Sequence, residues 1–190
     1  MADSQITKKA LGDGLKELVR KKGFDKVSIG DITGACGMGR QSFYYHFQDK
    51  FELLEWVYYQ DAFAPLCEGI TLQNWPMKLR AMLDRMYDER KFYVAAIKAQ
   101  PGHFSESLSR ILEALFLQVT ERLDEENDVG EERRKFGASF YALGCCAVVV
   151  RWAQGGMRVA PDTLARDIYC LAKDSERAAI RLAEEAGPQK

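Results

Sequence analysis

Arg40, Gln41, Tyr44, Tyr45 and His46 crowd five hydrogen-bonding side chains into seven residues, and Phe43 and Phe47 stand four apart among them. That spacing puts two rings on one face of a helix. A short helix that buries Phe43 and Phe47 turns its Arg, Gln, Tyr and His side chains outward, toward phosphates and base edges. This is the form of a DNA recognition helix, and its chemistry is reversible recognition.

The chain of 190 residues, 47% of them hydrophobic, is long enough for one large domain or a small one joined to a medium one. Residues 1–50 hold nine Lys/Arg against six Asp/Glu, and the remaining 140 hold 18 against 22. The overall charge of -1 thus hides a basic head and an acidic body. Such a split suits a front end that meets a polyanion, although an ordinary solvated surface produces it too.

Five scattered cysteines without a CxxC pair, and only two histidines, offer no zinc-ligand spacing. No metal or cofactor is expected, and the thiols read as reduced, which places the protein in the cytoplasm. The N-terminal stretch lacks the apolar core of a signal peptide. Phe136 to Val150, the longest uncharged apolar run, is short of the ~20 residues of a membrane span and is expected to be a buried helix.

The elements that must position the opening stretch precede it. Ile6, Ala10, Leu11, Gly14, Leu15, Leu18 and Val19 recur at helical spacing, with Lys8, Lys9, Lys16 and Lys21 expected outside and Gly23 ending the helix. Ser28 and Asp31 form a capping signature for a short second helix with Ile29, Ile32 and Cys36 inward. Gly37-Met38 is the tight connection to the third helix. Helix, short helix, glycine-containing turn and short helix make a helix-turn-helix head over residues 1–50.

The order Ile32-Thr33-Gly34-Ala35-Cys36-Gly37-Met38-Gly39-Arg40-Gln41-Ser42-Phe43-Tyr44-Tyr45-His46-Phe47, closed by Lys50, resembles the TetR family of bacterial transcriptional regulators. The resemblance implies that Arg40, Gln41 and Ser42 face base edges, where Arg suits guanine and Gln suits adenine. It implies that Tyr44, Tyr45 and His46 contact phosphates or thymine methyls, with packing between helices as the alternative for each. Lys50, after the helix-capping Asp49, is expected to meet a phosphate together with the amides of the next helix. Thr33 stands where a small alanine is common in the family and either adds a phosphate hydrogen bond or is inert. Gly39 replaces a frequent Ser.

The body, residues 51–190, reads as all-α, which gives about nine helices in total. A fourth helix from Phe51 toward Pro65 is the lever between head and body. Further helices are expected from Asn74 as cap to Glu89, from Phe92 to Ala99, from Ser105 as cap through Leu123, and from Glu131 to Gln154, with an acidic turn at Asp124 to Glu132. The Glu131–Gln154 helix is apolar on nearly all sides and is expected to be covered from more than one direction. After Pro161 the last helix carries a heptad-like seam of Leu164, Ile168, Leu171, Ser175 and Ala178. Together with Phe140, Gly144 and Ala147 this seam is expected to form a four-helix homodimer interface, packing within one subunit being the alternative. Two-fold symmetry also suits paired heads on an inverted-repeat operator of double-stranded DNA.

Family members commonly enclose a small-molecule pocket in the body. The resemblance therefore points to Trp56, Tyr59, Phe63, Met82, Met86, Phe92, His103, Phe104, Phe140, Tyr141 and Trp152 as candidate walls for an unidentified effector, with plain core as the competing reading. Trp152, Gly155-Gly156 and the Pro-initiated last helix are similar to a TetR branch that includes regulators of dihydroxyacetone-kinase operons. That branch contains activators that work with a partner protein, so repression and activation both stand. An enzyme using Cys145 or Cys146 with His103 is disfavoured, because those cysteines sit mid-helix among valines and alanines rather than beside a base.

Overall fold

The computed structural model describes residues 2–71, 73–123 and 130–186. Among them every regular element is helical. The head comprises α1 (Ala2–Lys22), a 3-10 turn (Phe24–Lys26), α2 (Ile29–Ala35) and α3 (Arg40–Tyr44). A long rod follows, built of α4 (Lys50–Tyr58), a π-helical turn (Tyr59–Phe63) and α5 (Ala64–Cys67). The rest of the body is α6 (Trp75–Asp88), α7 (Arg90–Ala99), α8 (Pro101–Leu123), α9 (Glu131–Gln154) and α10 (Pro161–Ala186). With the rod counted once, the described residues form nine helices.

Local chemistry starts several of these elements. The Ser28 hydroxyl accepts from the Asp31 amide while the Asp31 carboxylate accepts from the Ser28 amide, a reciprocal capping box. Asp49 caps α4 by accepting from the Phe51 and Glu52 amides, and Glu52 reaches back to the Gln48 amide. The turn between α9 and α10 is pinned by the Trp152 indole, which donates to the Val159 carbonyl at 2.8 Å.

Head and body share one apolar core. It runs from Leu11, Leu15, Ile32 and Phe43 through Leu54, Tyr58 and Phe63 to Met86, Phe92, Phe104, Val149 and Trp152. α1 packs on α2, α4 and α7, α8 lies along α9, and α10 rests on α6.

Several expectations need correction. Ile6 is exposed and Lys16 is buried, the reverse of the helical-wheel reading of α1. Asn74 makes no cap bond to α6; its side chain instead closes the preceding turn through the Thr71 amide and the Gly69 carbonyl. Ser105 lies inside α8, which begins at Pro101, and donates to the Gly102 carbonyl. Neighbours cover α9 on one side only. By length and composition it could cross a membrane, and 33% of that stretch is buried within the subunit. Most of the expected acidic turn, residues 124–129, lies outside the described residues.

Candidate nucleic-acid interface

α2 ends with Gly37 in the left-handed conformation, φ 65°, where a glycine carries no side-chain penalty. The Gly37 amide then bonds to the Gly34 carbonyl and the Met38 amide to the Thr33 carbonyl, which satisfies the last carbonyls of α2 and reverses the chain into α3. Phe43 and Phe47 are buried with ring centroids 5.9 Å apart, and Phe47 meets the Trp56 ring of α4 at the same distance. Anchored this way, α3 has its opposite face in solvent. Arg40 and Gln41 are exposed, Tyr44 is 57% and Tyr45 83% exposed, and Ser42 and His46 are half-buried. His46 packs edge-on against Tyr45 at 4.9 Å.

Gly30 has a use that the sequence does not announce. A Cβ there would fall 2.9 Å from a terminal nitrogen of Arg40, so the missing side chain lets the guanidinium lie across the start of α2. Arg40 is thereby placed without a fixed anionic partner among the described ion pairs, and its charge is open to a ligand.

Two expected DNA contacts are not on this face. Thr33 is 3% exposed, and its hydroxyl donates back to the carbonyls of Ile29 and Gly30, as threonines in helices often do. Lys50 points inward. Its ammonium donates to the Val27 carbonyl at 2.9 Å and the Phe24 carbonyl at 3.1 Å, with Asp25 at 3.4 Å, and sits 4.6 Å from the Phe24 ring centroid. A cation so engaged holds the 3-10 turn and the residue after it against the start of α4, and these carbonyls and the Phe24 ring claim it before any phosphate does.

Comparison with known proteins decides what kind of head this is. Residues 13–57 match the model for bacterial regulatory proteins of the tetR family, and residues 73–174 match a transcriptional regulator C-terminal region of the same family. The chain belongs to the TetR family. A curated relative, the HTH-type dhaKLM operon transcriptional activator DhaS of Lactococcus lactis subsp. lactis (strain IL1403), is 25% identical over 150 residues, covering 78% of this chain and 80% of that protein. In three dimensions the chain resembles the dihydroxyacetone kinase operon activator DhaS with a TM-score of 0.69 at 24% identity, covering 90% and 96% of the two chains. It also resembles NalD, the secondary repressor of the MexAB-OprM multidrug efflux pump in Pseudomonas aeruginosa, with a TM-score of 0.53 at 18% identity, covering 87% and 93%. This TetR-family protein is a transcriptional regulator and not an enzyme. Its cysteines agree, since burial pushes the Cys145 and Cys146 thiols up, away from the thiolate form a nucleophile needs.

TetR-family regulators bind operator DNA, usually as dimers that respond to small molecules. Of the expected pocket walls, Phe63, Met82, Met86, Phe92 and Phe104 converge in the centre of the body and are buried. Trp152 is buried in the same core, with its indole N–H donated to the Val159 carbonyl. The others do not join them. Phe140 is 64% exposed, Tyr59 and Tyr141 also face solvent, and Trp56 packs toward the head, where a Cβ on Gly12 would meet it at 3.1 Å. His103 sits at the rim, stacked on Phe51 at 5.1 Å, with Nδ1 2.8 Å from Glu55.

The central group also contains Tyr58 and Tyr93. Their rings stack 5.8 Å apart amid Phe63, Phe92 and Phe104, and both hydroxyls are buried without a hydrogen-bond partner among the described residues. Burial pushes both phenols above their usual range. Tyr58 falls four residues after Leu54 and Tyr93 four before Ile97, so a tyrosine at a core position was the available signal.

The expected dimer seam divides. Leu164 and Ile168 are half-buried against their own subunit's core, because α10 rests on α6, whereas Leu171 is exposed. The Ser175 hydroxyl donates to the Leu171 carbonyl. The Ala178 side chain lies outside the described residues. On α9, Gly144 and Ala147 are exposed beside Phe136, Phe140, Leu143 and Val148.

Proposed function

We propose that this TetR-family protein is a ligand-responsive regulator that binds an inverted-repeat operator as a homodimer in the cytoplasm, with residues 1–50 reading DNA and residues 51–190 holding the effector and the partner subunit. The observation that carries the reading is the solvent face of α3, where Arg40, Gln41, Tyr44 and Tyr45 are exposed directly above buried Phe43 and Phe47. Arg40 and Gln41 are assigned to base edges, each worth about 1–3 kcal/mol of discrimination. Ser42 supplements them, and Tyr44, Tyr45 and His46 position the head on phosphates.

For the partner subunit, the bare face of α9 is the favoured surface. Phe136, Phe140, Leu143 and Val148 stand exposed along that helix, as an interface between subunits would use them, and Leu171 of α10 is exposed as well. For the effector, the unpaired hydroxyls of Tyr58 and Tyr93 favour the body centre, where a small amphipathic molecule would give both a partner. Repression is the first reading of the sign of regulation. Activation, the role for which the curated relative is named, is the second, and a partner protein is proposed to act with this chain in that case.

The test is a fluorescence-anisotropy titration of the purified protein on its own promoter DNA, alongside sedimentation of the wild type and Leu143→Glu. A sequence-selective complex that is lost in Arg40→Ala with Tyr44→Phe, and a dimer that the glutamate dissociates, are expected. A DNA complex that survives the double substitution would remove the assignment of α3.

A further inference from the structure

Lys16 is 7% exposed, the one buried lysine among those described on α1. Its ammonium donates to Asp61 at 2.8 Å and lies 3.8 Å from Glu89 and 3.9 Å from Asp13. Arg20, one turn along α1, also pairs with Glu89, and Arg85 of α6 lies 3.5 Å from the other Asp61 oxygen. Three cations and three carboxylates thus form one cluster that ties α1 of the head to the π-helical turn and to the corner between α6 and α7.

A lysine so far removed from water must keep its carboxylates, because an unpaired buried charge is strongly unfavourable. Asp61 occupies the middle of the π-helical turn Tyr59–Phe63, whose extra residue sets the direction of the side chains around it. Straightening that turn into α-helix would rotate Asp61 away from Lys16. Next to the cluster lies a cleft of about 340 Å³ lined by Lys9, Gly12, Trp56, Gln60 and Arg85, which leaves α1 room to shift once the cluster opens.

α1 is in turn keyed to the reading element. A Cβ on Gly14 would fall 2.9 Å from Cys36 Sγ, and that thiol donates to the Ala10 carbonyl at 3.2 Å. Cys36 is the C-terminal cap of α2, one residue before the turn into α3. A continuous series of contacts therefore runs from Asp61 and Glu89 through Lys16 and Gly14 to Cys36 and the recognition helix.

We propose that Lys16 is the positioning residue that fixes the angle of the head on the body, so that the intact ion cluster sets the separation of the two heads in the dimer. The inference rests on the dimeric regulator reading above. Besides the covalent lever of α4, α1 packs on α7 within the shared apolar core, and the Lys16 cluster adds the directional, charged attachment between α1 and the body.

The experiment selects operators from randomised duplexes with wild-type protein, then titrates the selected site with its half-site spacing changed one base pair at a time. The wild type is expected to prefer one spacing by about tenfold or more, the size of an ordinary coupling between sites. Asp61→Asn and Lys16→Met should select the same half-site sequence with the spacing preference reduced to about twofold, and Lys16→Arg should restore it. Thermal melting establishes that each variant is folded. Should Lys16→Met fail to fold, Asp61→Asn, which keeps an acceptor for the ammonium, decides alone. A folded variant with the wild-type spacing profile overturns the proposal. A wild type that selects no sequence would overturn the regulator reading itself, and this inference with it.

Discussion

Two tyrosines of the head and two of the body are placed in opposite ways. In the head, Tyr44 and Tyr45 stand in solvent above a buried phenylalanine pair. In the body, Tyr58 and Tyr93 are sealed among Phe63, Phe92 and Phe104 with their hydroxyls unpaired. An exposed tyrosine on a recognition helix leaves its stabilising work to the residues beneath it. A buried one without a partner carries a desolvation cost that a ligand can relieve. On the function proposed above, the difference separates a surface already formed for its ligand from a core that a ligand would complete.

The sharpest way to break this comparison is to remove a ring from each side. Phe43→Ala and Phe92→Ala are each expected to cost about 3–5 kcal/mol, because both rings are fully buried in the core that head and body share. Calorimetry should show one cooperative transition moved down in both variants. A low-temperature transition confined to Phe43→Ala would mean that the head unfolds independently, and the shared core would then not transmit anything.

Next in size are the two hydroxyls. Tyr58→Phe and Tyr93→Phe should each stabilise the ligand-free protein by about 1–3 kcal/mol, since each removes a buried group that has no partner. Both variants should lose sensitivity to any effector that shifts the wild-type melting temperature. Destabilisation by either substitution would show the hydroxyls to be bonded in solution, and the body centre would no longer be set apart from ordinary core.

A pair of cations sharpens the contrast within the head. Arg40→Ala should weaken operator binding by about 1–3 kcal/mol and leave the melting temperature unchanged, as befits an exposed base reader. Lys50→Met should do the reverse, lowering stability by about 1–3 kcal/mol through the lost carbonyl bonds with no change in the salt slope of DNA binding. A reduced salt slope in Lys50→Met would return that lysine to the DNA backbone.

The Arg40 and Lys50 pair also explains how much was legible in the sequence. The helix-turn-helix order was readable because capping residues, left-handed glycine and the Phe43–Phe47 spacing are local signals, all fixed within a few residues. The inward turn of Lys50 was not readable, because its acceptors lie 23 to 26 residues earlier in the 3-10 turn. Lys16 failed for the same reason: a helical wheel places it by the periodicity of α1, whereas Asp61 and Glu89 arrive from 45 and 73 positions away. In the body, pocket walls and packing walls use the same aromatic and methionine side chains, so composition could not choose between them. The unpaired hydroxyls, on which the proposed effector site rests, depend on what surrounds each ring in three dimensions.

The smallest expected effect concerns how the two regions start their helices. α2 begins with a reciprocal Ser28–Asp31 box reinforced by Lys22 at 2.9 Å, whereas α6 in the body has no side-chain cap bond. The Ser28 hydroxyl, followed by Lys22 and the Ser28 amide, holds the Asp31 carboxyl well below the usual carboxylate range. A carboxyl depressed in the folded state stabilises fully above its unfolded value of about 3.9 and loses that contribution as pH falls through the folded value. Asp31→Asn should therefore melt below the wild type at pH 6, and the gap should narrow as the pH is lowered from about 4 toward 2. A gap that stayed constant over that range would assign the effect to the shape of the box, which an amide fits less well, and not to the charge that draws Lys22 onto the start of α2.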